Sequence, residues 1–285
     1  MIDLGGTLKW ARDHWLECVL GAGGIAAAGW AAYTLWRQWS APKIPQDDRE
    51  AGLSIIVPTL NEEKTLSLLL ASISRQKFSL PLELIIVDGG RSGPSKDTTH
   101  AIAMAWAGEH DADLSIILVN DLPSKARNVG ASHSKYRHLL FLDADTELTD
   151  DDFLEKMIDM SAKNEVQMGT FKAKPKASGD LWVDAWYSSA NTLFQMKLAS
   201  CGGYMYFRAN AFFWLSGFRE DLTINDDYDL GERAKEAGLR IFCFSLTVLS
   251  DERRLKKEGL PGLTAKYIQG AVNRAAEKVG LVEQG

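Results

Sequence analysis

The sequence predicts an α/β fold in which a mostly parallel sheet is covered by helices on both faces. Three observations predict it: short runs of β-branched and apolar residues recur along the chain, segments with apolar residues at helical spacing separate them, and several runs end in a polar residue. Strands that alternate with helices form parallel sheets, and ligands bind at the carboxyl edge of such sheets. We therefore expect a ligand-binding crevice at that edge.

The first half of the chain supplies the regular part of this pattern. Strands are predicted at Leu53–Leu60, Leu82–Asp88, Leu114–Val119 and His138–Leu142. The helices between them are predicted to begin at Asn61 and to span Thr98–Gly108 and Lys125–Ser134. Polar residues close three of these strands, and we expect them to line the crevice: Thr59, Asn61, Asp88, Asp143 and Asp145.

The second half of the chain has a less regular pattern. Strands are predicted at Val166–Lys172 and within Leu239–Leu249, with a loop and short strand at Gly202–Phe207. Helices are predicted at Asp180–Ala199, Asn210–Leu215 and Asp226–Ala237, the last of which ends at Gly238. Apolar residues from Leu263 to Val279 recur at helical spacing, which predicts an amphipathic helix that packs on the domain or contacts a membrane.

An apolar segment at residues 15–36 carries a single charge, Glu17. As a helix it spans about 33 Å, enough to cross a bilayer core, so it predicts a single-pass membrane anchor; a buried helix is the alternative. More basic residues follow the segment than precede it, which favours a cytoplasmic location for the large C-terminal part of the chain. Small residues within the segment would let two such helices approach closely, which allows a homo-oligomer.

These features divide the chain into five predicted parts. They are an N-terminal tail at 1–14, the anchor at 15–36, a linker at 37–52, the main α/β domain at 53–252, and a basic segment with the amphipathic helix at 253–285.

The bulk composition is that of an ordinary globular protein, with 46% hydrophobic and 25% charged residues. A formal net charge of −6 argues against nucleic acid as a partner, because nucleic-acid binding relies on excess positive charge. The three cysteines are not at metal-ligand spacing, so we expect free thiols instead of a disulfide framework or a zinc site.

Two acidic pairs are the strongest candidates for chemistry. Asp143 and Asp145 follow the run Leu139–Leu142, and their alternate spacing points both carboxylates the same way. Such a pair can hold a divalent cation, Mn²⁺ or Mg²⁺, although acidic residues after strands are also common without function. Asp226 and Asp227 begin a helix, where they act either as helix-terminal anions or as a general base.

Basic residues supply two further candidate groups. Lys125 and Arg127, with Asn128, either contact a donor phosphate or form a solvated helix face. Arg253 and Arg254 either hold a diphosphate leaving group, face anionic lipid, or lie on the solvated surface.

Taken together, five motifs in this order resemble the family 2 glycosyltransferases, which have the fold called GT-A. The resemblance covers about Leu53 to Leu249. The motifs are Val57-Pro-Thr-Leu-Asn-Glu-Glu63, Ile85-Ile-Val-Asp88, Ala126-Arg-Asn-Val-Gly130, Asp143-Ala-Asp145, and Gly217-Phe-Arg-Glu220 followed by Asp226-Asp227.

The resemblance implies a role for each matching residue. Thr59, Glu63 and Asp88 would contact the nucleoside. Asp143 would contact the ribose or the metal, and Asp145 would bind the metal itself. Asp227 would be the catalytic base, and Asp226 would help to position the acceptor. The donor would be a nucleotide diphosphate sugar, with UDP favoured over GDP, although no residue discriminates between them. The acceptor would be lipid-linked or a glycan, and attack from the opposite face would invert the anomeric configuration.

The chain departs from the family pattern in three places. The loop Gly89–Asp97 is longer and more basic than usual, which makes Asp97 an ambiguous equivalent of the family's second aspartate. The family's metal-binding histidine after the last strand is absent from residues 249–254, so Asp251 or a water would replace it. The Gln-x-x-Arg-Trp motif of processive members is also missing, which favours transfer of a single sugar.

Two alternatives to a glycosyltransferase remain at this stage. A nucleotidyltransferase can use a related sheet and metal-binding aspartate, but its first turn is usually glycine-rich and basic, whereas Pro58–Glu63 is acidic. A catalytically inactive scaffold that binds nucleotide sugars would be expected to have lost its catalytic acids, and both acidic pairs are present here.

Overall fold

The computed structural model describes residues 43–110, 112–177, 179–195 and 203–253, together with scattered positions between 255 and 276. The described residues from Ile44 onward belong to one compact unit. The predicted tail and anchor, at 1–14 and 15–36, lie outside the described residues, as do Arg254 and most of the predicted helix at 263–279. Within the described part, no helix has the length and apolarity needed to span a bilayer.

The described elements alternate between strands and helices in the first half of the chain. The strands are β1 (Glu50–Thr59), β2 (Leu82–Asp88), β3 (Leu114–Leu118), β4 (Tyr136–Phe141), β5 (Thr146–Leu148), β6 (Met168–Pro175), β7 (Met205–Arg208) and β8 (Ile241–Ser250). The helices are α1 (Leu66–Ser74), α2 (Thr99–His110), α3 (Pro123–Ser132), α4 (Phe153–Lys163), α5 (Leu181–Gln195), α6 (Ala209–Trp214) and α7 (Asp226–Glu236).

The eight strands form one sheet in the order β3-β2-β1-β4-β7-β6-β8-β5. The first four of these in space, β3 to β4, are parallel, as predicted. β7 is antiparallel to both β4 and β6, and β5 is antiparallel to β8, whereas β6 and β8 are parallel to each other. The sheet is therefore mixed, but it is mostly parallel, as predicted, because β7 and β5 are the two reversed strands among the eight described. Strand direction depends on the path of the connections, which residue periodicity does not encode.

Helices cover both faces of the sheet, as the sequence predicts. Side chains alternate along β1, so that Leu53, Ile55 and Val57 pack in one buried cluster while Ile56 packs in the other. The first cluster includes apolar residues of α1 and α4, and the second includes residues of α3, α6 and α7. This two-sided burial fixes the carboxyl ends of the central strands, where the candidate site lies.

Two boundaries near β1 differ from prediction. β1 begins at Glu50, and Ile44 packs against the second buried cluster, so residues 44–52 belong to the folded domain although their composition is typical of a linker. α1 begins at Leu66 instead of Asn61. Asn61 adopts a left-handed backbone conformation, φ 55°, which ends the strand in a turn before the helix can start.

Candidate active site

The carboxylate of Asp88 is completely buried at the end of β2. It accepts hydrogen bonds from Thr59 Oγ1 at 2.8 Å and from Ser95 N and Oγ at 2.9 and 2.5 Å. Thr59 and Asp88 are register partners on neighbouring strands, which explains why the sheet brings them together. In this conformation Asp88 holds the following loop against the sheet edge, and the predicted nucleoside contact of Thr59 and Asp88 would require Ser95 to move.

The turn after β1 is hydrogen-bonded to the loop after β2. Asn61 N donates to Ser95 Oγ at 2.7 Å, and Glu63 N donates to Asp97 Oδ2 at 3.1 Å. Thr98 Oγ1 donates in turn to Glu63 Oε2 at 3.0 Å. Asp97 and Glu63 therefore join the two loops through hydrogen bonds. Glu63, the predicted nucleoside contact, is in this way held against the end of the long loop Gly89–Asp97.

Arg127 brings the two acidic pairs into one site. Its Nη2 donates to Asp143 Oδ1 at 2.7 Å, and its Nη1 donates to Asp226 Oδ2 at 2.9 Å. Burial alone would lower the pKa of Arg127, but Asp143 and Asp226 outweigh it and raise that pKa above its ordinary value. Arg127 is therefore a permanent buried cation between the two carboxylates, not part of a solvated helix face.

Asp227 has the properties of a general base. It lies in the first turn of α7, preceded by Asn225 in a left-handed conformation with φ 61°. Burial, together with the neighbouring negative charge of Asp226, raises the pKa of Asp227 to about 7. A carboxylate with a pKa near neutrality can accept a proton from a hydroxyl more readily than an ordinary aspartate can.

Asp145 lies in an acidic cluster with Glu62 and Asp251. Its side chain is 25% exposed, and burial together with Asp143 and Glu62 raises the pKa of Asp145 to about 7. Arg253 is the cation in this cluster: its Nη2 lies 2.8 Å from Glu62 Oε2 and 3.6 Å from Asp145 Oδ2. The Nε of Arg253 lies 3.1 Å from Asp251 Oδ2, so the residue predicted to replace the missing histidine is also at the site.

The donor set at Asp145 and Asp143 fits a hard divalent cation, because both side chains are carboxylates and the negative charge of Asp143 helps to raise the pKa of Asp145. Among the residues that the structure describes, no three His, Cys, Asp or Glu side chains form a complete ligand set. Mg²⁺ and similar ions are often held by one or two carboxylates, with substrate phosphates and waters supplying the other ligands. The arrangement therefore fits a metal that binds together with a diphosphate.

Gly203 is required by the position of Asp143. A Cβ at Gly203 would lie 1.9 Å from the carboxyl carbon of Asp143, a distance at which atoms overlap. The backbone before β7 therefore passes directly against the carboxylate, which limits where Asp143 can point. The sequence contains Gly202 and Gly203 side by side, but nothing in that pair alone indicates contact with Asp143.

Lys125 and Asn128 are less central to the site than Arg127. Lys125 forms an exposed ion pair with Asp121, Nζ to Oδ2 at 2.9 Å, which fits the solvated-face alternative for this residue. Asn128 is structural: its Nδ2 donates to Phe218 O, and its Oδ1 accepts from Phe218 N, each at 2.8 Å. Asn128 thereby anchors the segment that leads to Asp226 and Asp227.

Comparison with known proteins identifies the family to which this geometry belongs. The model named "Glycosyl transferase family 2" matches residues 54–220, more than half of the chain. The chain belongs to glycosyl transferase family 2. Membership of this family, which the resemblance implied, and the GT-A-like α/β fold are therefore confirmed.

The chain spans only part of the length of the curated relatives that it matches. The chain is 31% identical over 101 residues to the chondroitin synthase of Pasteurella multocida, covering 34% of this chain and 10% of the relative. It is 30% identical over 143 residues to the 4,4'-diaponeurosporenoate glycosyltransferase of Staphylococcus haemolyticus, covering 48% and 36%. The poly-beta-1,6-N-acetyl-D-glucosamine synthase of Staphylococcus epidermidis is 30% identical over 125 residues, covering 44% and 29%.

Solved structures support the fold. TarS 1–349 of S. aureus in complex with UDP-GlcNAc has a TM-score of 0.57 at 20% identity, covering 71% of this chain and 59% of that one. The mannosyltransferase PcManGT from Pyrobaculum calidifontis, in complex with GDP-Man and Mn²⁺, has a TM-score of 0.56 at 20% identity, covering 87% and 75%. At this level of identity the likeness establishes a shared fold alone.

Proposed function

We propose that this family 2 glycosyltransferase moves one sugar from a nucleotide diphosphate donor to an acceptor hydroxyl, with inversion and with a divalent cation. The observation that carries the proposal is the double contact of Arg127 with Asp143 and Asp226. Through this contact the predicted metal-binding pair and the predicted base pair share one site. Donor and acceptor groups can then meet between them.

The protein residues perform the proton and positioning steps. The Asp227 carboxylate accepts the proton of the acceptor hydroxyl as the acceptor oxygen attacks the anomeric carbon of the donor. The bond from that carbon to the diphosphate oxygen breaks, and the nucleoside diphosphate leaves with the electron pair. Attack from the face opposite to the leaving group inverts the anomeric configuration.

Asp145, assisted by Asp143, would hold the divalent cation. When bound, the cation supplies positive charge that stabilises the leaving diphosphate. Arg253 adds a second positive group, since it lies beside Asp145 on a half-exposed side chain that can reach a phosphate. Arg254 and Lys125 stay predictions as donor contacts.

The identity of the donor belongs to the proposal. UDP is favoured over GDP, and the named complexes of structural neighbours include both kinds, UDP-GlcNAc in TarS and GDP-Man in PcManGT. Asp88 is completely buried beneath Ser95, which lies in the loop after β2. The nucleobase of the donor would therefore be recognised after this loop rearranges, or by residues of the loop itself. A donor screen must therefore include both nucleotides.

The acceptor and location also belong to the proposal. Among the relatives, names that contain chondroitin and poly-N-acetylglucosamine support a glycan acceptor, and the name of the diaponeurosporenoate enzyme supports an apolar one. The apolar segment at 15–36 supports a single-pass anchor with a cytoplasmic catalytic domain, and hence a lipid-linked acceptor. Small residues in that segment support a homo-oligomer.

Transfer measurements test the assigned roles. The full chain would be incubated with Mn²⁺, a panel of UDP- and GDP-sugars, and polyprenyl phosphate or glycan acceptors, while release of nucleoside diphosphate is followed. We expect Asp145→Ala and Asp227→Asn to lose transfer, and Asp152→Asn to retain it. Asp152 is a matched control because its carboxylate is exposed and forms a surface ion pair with Lys156 in the next turn. Retained transfer in both site variants would overturn the assigned roles.

A further inference from the structure

Arg253 lies where a cation shared by Glu62 and Asp145 would sit. One nitrogen of its guanidinium, Nη2, contacts both carboxylates, at 2.8 Å to Glu62 Oε2 and 3.6 Å to Asp145 Oδ2. A second nitrogen, Nε, contacts Asp251 at 3.1 Å. Three carboxylates from three separate segments therefore converge on one guanidinium.

The charge of this cluster explains why a cation is needed there. Asp143 is already paired with Arg127, whereas Glu62, Asp145 and Asp251 share Arg253. Positive charges that share one partly buried carboxylate repel each other. A divalent cation bound to Asp145 therefore competes with the observed contact of Arg253 with Asp145.

Arg253 is free to move away from Asp145. Its side chain is 49% exposed, and its shorter contacts are to Glu62 and Asp251 and not to Asp145. It is also the first residue of the basic segment that follows β8, and its half-exposed guanidinium would be available to a diphosphate bound near Asp145. The phosphate oxygens would replace the carboxylate contact that it loses.

We propose that Arg253 supplies the positive charge beside Asp145 in the donor-free enzyme and is exchanged for the divalent cation when the nucleotide diphosphate binds. The inference rests on the proposed metal site at Asp145. It makes Arg253 a positioning residue that couples the binding of metal and donor. Metal alone binds weakly because it must displace Arg253, and the diphosphate promotes metal binding because it accepts the displaced guanidinium.

Binding of Mn²⁺ in the absence of turnover tests the inference. Electron paramagnetic resonance measures free Mn²⁺ during titration of the full chain, first alone and then with saturating UDP or GDP. We expect Arg253→Gln to bind Mn²⁺ alone about tenfold more tightly than the wild type, within the usual range of coupling between sites. The factor by which nucleotide tightens Mn²⁺ binding should fall correspondingly.

Two control variants separate this exchange from other effects. Arg253→Lys keeps the positive charge, so its affinity for Mn²⁺ alone should stay near that of the wild type. Arg240→Gln removes the same charge from a side chain of similar exposure, 48%, that pairs with Glu165. It should leave Mn²⁺ binding unchanged, which excludes a general effect of net charge.

The outcomes also distinguish the inference from the proposed function. If the wild type binds UDP or GDP with Mn²⁺ but Arg253→Gln binds Mn²⁺ alone no more tightly, the exchange is wrong while the metal site stands. If neither protein binds Mn²⁺ under any condition, the metal site fails and the exchange fails with it. Loss of Mn²⁺ affinity in Arg253→Gln would also contradict the exchange.

Discussion

Arg127 donates a hydrogen bond to Asp226 at 2.9 Å, and this contact joins residues 99 positions apart in the sequence. The opposite nitrogen of the same guanidinium donates to Asp143. Because Arg127 is 7% exposed, both carboxylates depend on it for their compensating charge. The candidate active site is therefore organised around a single buried arginine.

Replacing Arg127 should damage both stability and catalysis. Arg127→Gln leaves two partly buried carboxylates without a counter-charge, and breaking a buried pair in this way costs about 3 kcal/mol. We expect a free energy of unfolding lower by that amount in urea denaturation, and a large loss of transfer. Arg75→Gln, at an exposed pair with Asp151, should change the stability by less than about 1 kcal/mol. Equal effects of the two variants would contradict this role.

The pH dependence of transfer should follow the ionisation of Asp227. Its pKa is raised to about 7, and the base form is the deprotonated carboxylate, so the rate should rise as pH increases through about 7. The apparent value belongs to the coupled Asp226–Asp227 pair. A rate measured from pH 5.5 to 8.5 that stays constant at saturating donor would argue against Asp227 as the base.

Gly203 should tolerate no side chain. Gly203→Ala would place a methyl group on the carboxylate of Asp143, so that Asp143 or the backbone before β7 must shift. We expect transfer to fall by at least about tenfold, because small displacements of catalytic groups have large effects on rate. Gly108→Ala in α2 is the matched control, since a Cβ there meets no atom within 4 Å. Normal transfer by Gly203→Ala would show that Asp143 need not be held in this position.

His138 should make the fold sensitive to acid. Its Nδ1 lies 2.7 Å from the Tyr206 hydroxyl in the core, and burial, followed by the charges of Arg208 and Arg137, lowers the pKa of His138 from 6.5 to about 3. The unfolded chain binds the proton more readily, so this contribution to stability is complete above pH 6.5 and is lost as pH falls toward 3. The loss is on the order of 4 kcal/mol.

A histidine variant measures this effect directly. His138→Gln should flatten the fall in unfolding free energy between pH 6.5 and 4 relative to the wild type, whatever its stability at neutral pH. His133→Gln, at an exposed histidine that follows α3, should keep the wild-type slope. An identical pH slope in His138→Gln and the wild type would disprove the assignment.

The sequence predicted best those features that depend on residues close together in the chain. The four parallel strands and the helices between them followed from β-branched runs and helical spacing, and the acidic pairs followed from their position at element ends. The helix α4, Phe153–Lys163, was not predicted, although its buried residues Phe153, Leu154, Met157 and Ser161 recur at helical spacing and could have been recognised.

Other features depend on long-range contacts that no local pattern encodes. Glu62 was not predicted as a site residue, although it lies beside Arg253 and helps to raise the pKa of Asp145. Ser95 donates a hydrogen bond to Asp88, and Gly203 lies against the carboxylate of Asp143. Both contacts likewise depend on how loops come together in the folded chain. A single sequence offers no signal for such pairs.

The most direct test of the central claim compares binding with turnover in Asp227→Asn. With Mn²⁺ and a donor that the wild type uses, at pH 8, the variant should bind the nucleoside diphosphate with an affinity within about threefold of the wild type. Its turnover should fall by at least about 10²-fold, as expected when a general base is removed. Turnover close to that of the wild type would contradict the assignment of Asp227 as the base and, with it, the single site joined by Arg127.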